Sequence, residues 1–310
     1  MAALTLLEAS KRGLGTELDQ AVVEIFARNS PILMVLPFRT ISGNALKYNR
    51  EQTLPGVAFR GVNEAFSSSV GVLNPITESL TIIGGDLEVD KFIIDTEGAD
   101  IRSIHEAMKL KAIAEDWQTT FFKGDVQTDV KEFDGLQTRL VGNQLIDAGV
   151  SSGGDALSLG VVDELIDAVN DPTHLAMNKT LARRFSAAAR DTAVGGFITF
   201  GKDEFGRRIM FYGDLPILVI QSLQGLDTVL PFTEANPGGG SAASTSMYCL
   251  SITPNGIQGI QNKPMEARDL GEQDIKPVML TRVEWYAGMM IRHGRAGGRL
   301  RGIKNAAIVK

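Results

Sequence analysis

Ser151 lies in a stretch that matches a catalytic motif. The run Gly149-Val150-Ser151-Ser152-Gly153 has the spacing of a nucleophile elbow, which needs a serine exposed on a tight turn between a strand and the helix that follows at once. In this chain another glycine, an aspartate and a further serine precede any helical periodicity. Such a loose linker disfavours a serine hydrolase that would use Ser151.

Residues 196–202 resemble a phosphate-binding loop until position 203. That loop requires a serine or threonine hydroxyl for magnesium after its lysine, but Asp203 follows Lys202. A carboxylate there would repel a phosphate, and Phe197 and Phe200 are typical of a strand. The segment therefore predicts a hairpin that turns between Gly201 and Gly206.

The remaining candidates for chemistry are three histidines and one cysteine. His105 falls on the apolar face of a predicted helix, where a packed histidine is expected, and His174 and His293 have no carboxylate or thiol nearby in sequence. Cys249 cannot form a disulfide within the chain. We therefore expect no catalytic residue, no metal site and no cofactor.

The composition is that of a globular protein with a substantial core. The length of 310 residues is enough for about two domains, and 44% of the residues are hydrophobic. The 31 basic and 37 acidic residues give a net charge of −6. This balance excludes a globally basic protein that coats nucleic acid. We predict neither a signal peptide nor a membrane span.

Residues 44–66 predict a long hairpin that cannot stand alone. Leu46 and Tyr48, then Val57 and Phe59, have strand spacing on either side of Leu54-Pro55-Gly56, and Pro-Gly is typical of a turn. An isolated hairpin is marginal in water, and this one has too few apolar residues for a core face. We expect another subunit to support it.

Two further regions have distinctive charge or periodicity. Residues 78–100 contain seven acids and one base, and they predict strands over 79–83 and 87–94 separated by Gly84-Gly85-Asp86. A helix of about 25 residues follows over 98–122, and its apolar stripe changes face half-way along. Such a helix is expected to pack against different partners at its two ends.

Other elements complete a mixed α and β chain. A helix is predicted within residues 1–30 and ends at Pro31, and a compact α/β block lies between two linker-like segments at 142–155 and 236–246. The tail from Trp285 onward has a local charge of +6. This tail is typical either of a solvated or inter-subunit face or of a surface that contacts DNA.

Together these segments resemble the major capsid proteins of tailed bacteriophages, whose Hong Kong 97-like fold is shared with encapsulin shells. The similar segments follow one another in order along nearly the whole chain. They are Gly85–Ile93, Phe133–Leu136, His174–Ala182, Gly213–Val219, Arg282–Gly288 and Arg299–Ile303.

The resemblance implies an α+β fold divided into four parts. Residues 1–40 would form an N-terminal arm and 41–75 an extended hairpin called the E-loop. Residues 76–135 and 245–310 would form the peripheral domain, with a long spine helix and with part of the axial domain. Residues 136–244 would form the axial α/β domain.

The same resemblance implies a non-enzymatic protein that assembles into the icosahedral head shell of a phage. The partners would be copies of itself in pentamers and hexamers, a portal protein, separate or cleaved scaffold, decoration proteins, and packaged double-stranded DNA bound without sequence specificity. The protein would assemble in the host cytoplasm and reside in the virion, without contact with a membrane. An encapsulin-like shell around a protein cargo is the alternative.

Charge suggests how the subunits would meet. Residues 39–66 have a net charge of +2, and we expect them to lie over the acidic region 78–100 of a neighbour. Exposed ion pairs contribute little, so aromatic side chains should supply much of the adhesion. The predicted inter-subunit contacts are Lys47, Tyr48, Arg50, Phe59, Arg60, Phe66, Asp86, Glu88, Asp90 and Asp100.

Overall fold

The computed structural model describes residues 30–97, 100–191, 196–202, 208–222, 225 and 227–309. Its helices are α1 Pro31–Val35, α2 Lys91–Glu97, α3 Asp100–Lys123, α4 Leu136–Arg139, α5 Leu159–Asp167 and α6 Lys179–Ala188. Its strands are β1 Phe38–Thr40, β2 Ala45–Thr53, β3 Val72–Ser79, β4 Thr81–Asp90, β5 Leu145–Asp147, β6 His174–Asn178, β7 Ile198–Lys202, β8 Arg208–Tyr212, β9 Leu215–Ile220, β10 Ser244–Leu250, β11 Ile257–Gln261, β12 Glu266–Glu272, β13 Val278–Ile291 and β14 Gly297–Lys304.

A five-stranded sheet is organised around β13. Strand β4 pairs antiparallel with β13 along one edge, while β12 and β11 share the other edge, and β1 adds to β11 in parallel. Strand β13 runs without a break from Val278 to Ile291. Gly288 does not interrupt it, because this residue pairs with Ile260 in the ladder.

The C-terminal half of the long helix α3 packs against this sheet through Trp117. This side chain is fully buried, and its ring centroid lies 5.9 Å from that of Phe38, 5.9 Å from that of Trp285 and 5.2 Å from that of Phe121. Large buried aromatic groups of this kind dominate core energetics. The predicted long helix is confirmed, and Trp117 and Trp285 anchor it on the sheet.

A seven-stranded sheet has the order β5-β14-β10-β6-β9-β8-β7. Between β6 and α6 the carboxamide of Asn178 accepts a hydrogen bond from the amide of Leu181 at 2.8 Å and donates to the carbonyl of Leu230 at 2.9 Å. An asparagine cap of this kind satisfies an amide that the first helical turn leaves free. The segment His174–Ala182, one of those that resemble the capsid proteins, thus forms a strand that leads through Asn178 into a helix.

The hairpin exists, but its second arm was wrongly placed. Strand β2 pairs antiparallel with β3, so that Ala45 faces Ser79 and Thr53 faces Val72. Residues 54–71 form the connecting loop, and the predicted Pro55-Gly56 turn lies inside that loop. The predicted second arm, residues 57–66, makes no ladder in the described chain, whereas the more polar segment 72–79 does.

The predicted break at Gly84-Gly85 was also wrong. Strand β4 runs unbroken through both glycines, opposite Glu284 and Val283 of β13. A Cβ on Gly84 would collide with the carbonyl oxygen of Val283, so the glycine allows close approach of two backbones. The strand ends at Asp90, whose carboxylate accepts a hydrogen bond from the amide of Phe92 and starts α2 where we predicted further strand.

The N-terminal arm is described only from residue 30. The helix predicted before Pro31 lies outside the described residues. Pro31 opens the short helix α1, and Ser30 caps that helix by accepting a hydrogen bond from the amide of Leu33. Proline is well suited to the first helical position, where its missing N–H costs no hydrogen bond. The proposed domain boundaries stay predictions.

Candidate inter-subunit surface

The tip loop, residues 54–71, exposes a run of large apolar side chains. Val57 is 95% exposed and Phe59 fully so, and the other members of the run are Leu54, Val62, Phe66 and Val70. Exposed apolar surface of this extent is typical of a protein interaction site. Within the described residues, nothing covers these side chains.

The tip loop nevertheless has local order. The guanidinium of Arg60 lies 5.0 Å from the centroid of the Phe66 ring and donates to the carbonyl of Glu64 at 3.1 Å. The carboxylate of Glu64 accepts from the amide of Gly61 at 2.8 Å, and Asn63 adopts a φ of 64°. These contacts give residues 60–66 a defined turn within the tip loop.

Lys47 and Arg50 lie on β2, below the tip loop. Neither side chain forms an ion pair with the part of the chain that the structure describes. Arg50 lines a polar cleft of about 570 Å³ between the hairpin and the body, together with Asn170, Asn255 and Arg292. Both predicted contact residues therefore keep their positive charge available.

Tyr48 does not point outward as expected for an adhesive aromatic residue. Its hydroxyl donates to the carbonyl of Ile291 at 2.9 Å and lies 3.3 Å from the carboxylate of Glu78. Burial, followed by the negative charge of Glu78, raises the pKa of Tyr48 to about 12. This residue joins the hairpin to the body of its own subunit.

The acidic region is largely paired within its own chain. Asp86 accepts two hydrogen bonds from Arg282, at 2.7 and 2.9 Å, and these bonds hold the pKa of Asp86 below its usual value. Glu88 lies 3.3 Å from the ammonium of Lys276. Asp90 caps α2, and the side chain of Asp100 lies outside the described residues. The ion pairs with Arg282 and Lys276 neutralise part of the negative charge of this region, so the predicted attraction to a neighbour's basic residues is weaker than the sequence indicates.

Exposed apolar side chains that we had not proposed as contacts lie on α2 and α3. On the N-terminal half of α3, Ile104 is 54% and Met108 57% exposed, and Phe92 is exposed on α2. Ile82 of β4 is also exposed, but on the face of the sheet away from α3. The change of apolar face along α3 was the sequence signal, because the apolar side of its N-terminal half has no cover in the described subunit. His105, expected to be packed, is exposed on this same half of the helix.

The motifs considered for catalysis have other structural roles. Ser151 is exposed in a turn, its amide donates to Asp155 at 2.9 Å, and its hydrogen bonds lower the pKa of that carboxyl. Strand β5 ends four residues earlier and α5 starts only at Leu159, so the strand-turn-helix geometry of a nucleophile elbow is not formed. Segment 196–202 forms the predicted hairpin, β7 pairing with β8, and its turn lies outside the described residues.

Several cations of the basic tail are also bound within the subunit. Arg299 is buried and pairs with Glu234 at 3.0 Å, and Arg301 pairs with Asp147 at 2.6 Å. Arg295 donates to two carbonyl groups at the end of α5. In the described part of the chain, no three side chains converge in a metal-binding group, and no helix is long and apolar enough to cross a membrane.

Comparison with solved structures assigns the architecture. An encapsulin chain of the holo-SrpI complex from Synechococcus elongatus PCC 7942 is similar over 90% of this chain and 89% of its own, with a TM-score of 0.63 and 16% identity. The capsid of a native GTA particle is similar over 89% and 90%, again with a TM-score of 0.63 and 16% identity. The chain has the Hong Kong 97-like capsid fold.

Further comparisons agree with this capsid fold. A chain of Mycobacterium phage Bobi is similar with a TM-score of 0.60 and 13% identity, over 87% of this chain and 89% of its own. Residues 15–164 match the model of a protein family described as major capsid protein GP7. No curated protein matches the sequence. The predicted resemblance to tailed-phage major capsid proteins and the α+β capsid fold are confirmed.

Proposed function

We propose that this protein is the major capsid protein of a tailed bacteriophage and that copies of it assemble into the icosahedral shell around the genome. The observation that carries the proposal is the uncovered apolar tip loop on a subunit with the capsid fold. A side chain such as Phe59 gains about 1.5–3 kcal/mol when it is fully buried, and a neighbouring copy supplies that burial. The role is structural.

Closed shells form from many weak contacts. Each hairpin makes one contact per copy, and linked contacts strengthen one another once a ring closes. Pentamers and hexamers are the symmetric units that such a subunit would form. We place the tip loop on the exposed apolar side chains Phe92, Ile104 and Met108 of a neighbour, with Lys47, Arg50 and Arg60 directed to its acidic positions 86–90.

The remaining partners follow from that role. A phage head needs a portal protein, scaffold protein or a cleaved scaffold segment, and double-stranded DNA. The overall charge of −6 suits an inner wall that lets DNA move, and the arginines at 295, 299 and 301 are already bound within the subunit. We place assembly in the host cytoplasm and the finished protein in the virion.

An encapsulin-like shell around a protein cargo is the second candidate. The similarity to the SrpI encapsulin chain, as strong as that to the GTA capsid, favours keeping it. The match of residues 15–164 to the GP7 family favours the phage shell. Both candidates predict closed shells, but they differ in contents.

The test is to purify shells from the natural source and to analyse what they contain. The phage proposal predicts double-stranded DNA of uniform length that resists nuclease until the shell is opened. A single co-purifying protein inside shells that lack DNA would support the encapsulin candidate instead. A chain that stays monomeric at every concentration and salt condition would contradict both.

A further inference from the structure

The hairpin is attached to the body through a charged side chain. Of the described side chains in residues 45–79, which exclude those of residues 51 and 52, only that of Glu78 is buried. Apolar contact therefore does not fix the hairpin on its own subunit. The side chains of Glu78 and Tyr48 add contacts to the backbone pairing of β1 and β4, which holds the chain just before and just after the hairpin.

Arg139 holds this carboxylate from the other side. Its two terminal nitrogens donate to the two oxygens of Glu78 at 2.5 and 2.7 Å, and its Nε donates to the carbonyl of Asp134 at 2.6 Å. Both side chains are shielded, with 17% of Arg139 and 11% of Glu78 exposed. The fork of the guanidinium allows little rotation in a pair of this kind.

The three side chains come from distant parts of the chain. Glu78 lies near the end of β3, Tyr48 lies near the start of β2, and Arg139 ends the short helix α4. Tyr48 connects the group to Ile291 at the end of β13. Both arms of the hairpin are therefore tied to the body, at two separate places.

A shielded ion pair contributes less to stability than its short distances suggest. Removal of both charges from water costs several kcal/mol, which offsets much of their attraction. What such a pair supplies is direction, because its bidentate hydrogen bonds form in only one relative orientation. At the base of a ribbon of nine and eight residues, a small rotation displaces the tip loop by many ångströms.

We propose that Arg139 is a positioning residue, which holds Glu78 and thereby directs the hairpin towards the neighbouring copy without touching that copy. The inference rests on the proposed shell function, since a direction matters only where the tip loop has a place to bind. It assigns a role in assembly to a residue of the body that lies outside the tip loop and was not among the predicted contact residues.

The test measures the direction of the hairpin in unassembled subunits. Spin labels at Ser68→Cys on the tip loop and Glu164→Cys on α5 report one distance, and the native Cys249 is buried, with a pKa raised to about 12 by burial, so that labels react elsewhere. The unmodified pair should give one narrow distance distribution. Arg139→Met and the isosteric Glu78→Gln should each broaden it by about twofold or more.

Assembly is the second readout. At equal subunit concentration, both variants should lower the yield of closed shells by about tenfold, because fewer subunits present the tip loop in the required direction. The control is Arg301→Met, which removes an ion pair with Asp147 in the seven-stranded sheet. This control should leave the distance distribution and the shell yield near those of the unmodified protein.

The possible outcomes separate the two proposals. Narrow distances and normal shell yield in both folded variants would overturn the role of Arg139 and leave the shell function intact. Failure of both variants to fold would also overturn it, because the pair would then serve folding rather than direction. If the unmodified chain forms no shells, the shell function fails, while the distance measurement still shows whether Arg139 directs the hairpin.

Discussion

The hairpin of β2 and β3 and the strand β10 are both extended, but they differ completely in burial. Every residue of β10 is buried between β14 and β6, while the hairpin buries only Glu78 among its described side chains. A strand needs partners for its edges and its faces. The body of the subunit supplies them for β10, and we propose that a second subunit supplies them for the hairpin.

This difference teaches that folding and assembly depend on separate residues. Changes in the body should reduce the stability of the single subunit, and changes at the tip loop should reduce association alone. Four predictions test this separation, in order of decreasing expected effect.

Trp117→Ala should have the largest effect and should act on the fold. It removes a fully buried ring that contacts Phe38, Phe121, Phe133 and Trp285, and a loss of about 3–5 kcal/mol in the free energy of unfolding is expected. Urea unfolding of dissociated subunits measures it. A loss below about 1 kcal/mol would mean that this aromatic cluster does not hold the body together.

Phe59→Ser should have the opposite pattern. The ring is fully exposed, so the free energy of unfolding should change by less than about 0.5 kcal/mol, while loss of its burial on a neighbour weakens each contact by about 1.5–3 kcal/mol. The critical concentration for shells, measured by light scattering, should rise at least about tenfold. Val130→Ser, at an apolar site that is 83% exposed and lies outside the hairpin, is the control and should leave assembly unchanged.

His174 should make the body sensitive to acid. Burial lowers its pKa from 6.5 to about 4, so the folded chain keeps the ring neutral while the unfolded chain binds a proton below pH 6.5. The free energy of unfolding is therefore unaffected by His174 above pH 6.5 and decreases as the pH falls from 6.5 towards 4. Between pH 7.5 and 4.5, the subunit should lose about 2 kcal/mol more stability than His174→Gln loses. Equal pH profiles of the two proteins would refute this assignment.

Reversal of charge on the hairpin should have the smallest effect. Exposed ion pairs contribute about 0–1 kcal/mol each, and the facing acids Asp86 and Glu88 are already paired with Arg282 and Lys276. Arg50→Glu combined with Arg60→Glu should slow assembly at low salt, and high salt should reduce the difference from the unmodified chain. Normal assembly of the folded variant at low salt would exclude steering by these charges.

The sequence predicted the elements whose signals are local. The periodicity of α3 placed its bounds within two residues, and the segment His174–Ala182 that resembled the capsid proteins contains Asn178, the residue that caps α6. The second arm of the hairpin was missed because Val72–Ser79 is exposed on both faces and therefore has no apolar alternation. The candidate surface was predicted in part, since exposed Phe59 and Phe66 were named, while Ile104 and Met108 were interpreted only as a stripe on the helix.

Long-range contacts could not be read from the sequence. From the sequence alone, Gly84 is typical of a turn. In the structure it lies in a strand, where the carbonyl oxygen of Val283 on β13 leaves no room for a side chain. From the sequence alone, Asp86 is typical of an unpaired surface acid. In the structure it accepts hydrogen bonds from Arg282, which is 196 residues away in the chain. Glu78 and Arg139 form their pair across 61 residues. In each case the deciding partner is set by the topology of the sheets.

Negative-stain electron microscopy of the purified protein tests the central claim most directly. If the tip loop binds a neighbouring copy, the micrographs should show closed shells of uniform diameter, and Phe59→Ser should reduce them to small oligomers or single subunits. A field of compact monomers at all concentrations and salt conditions, with the loop protected against proteolysis by its own subunit, would contradict the account.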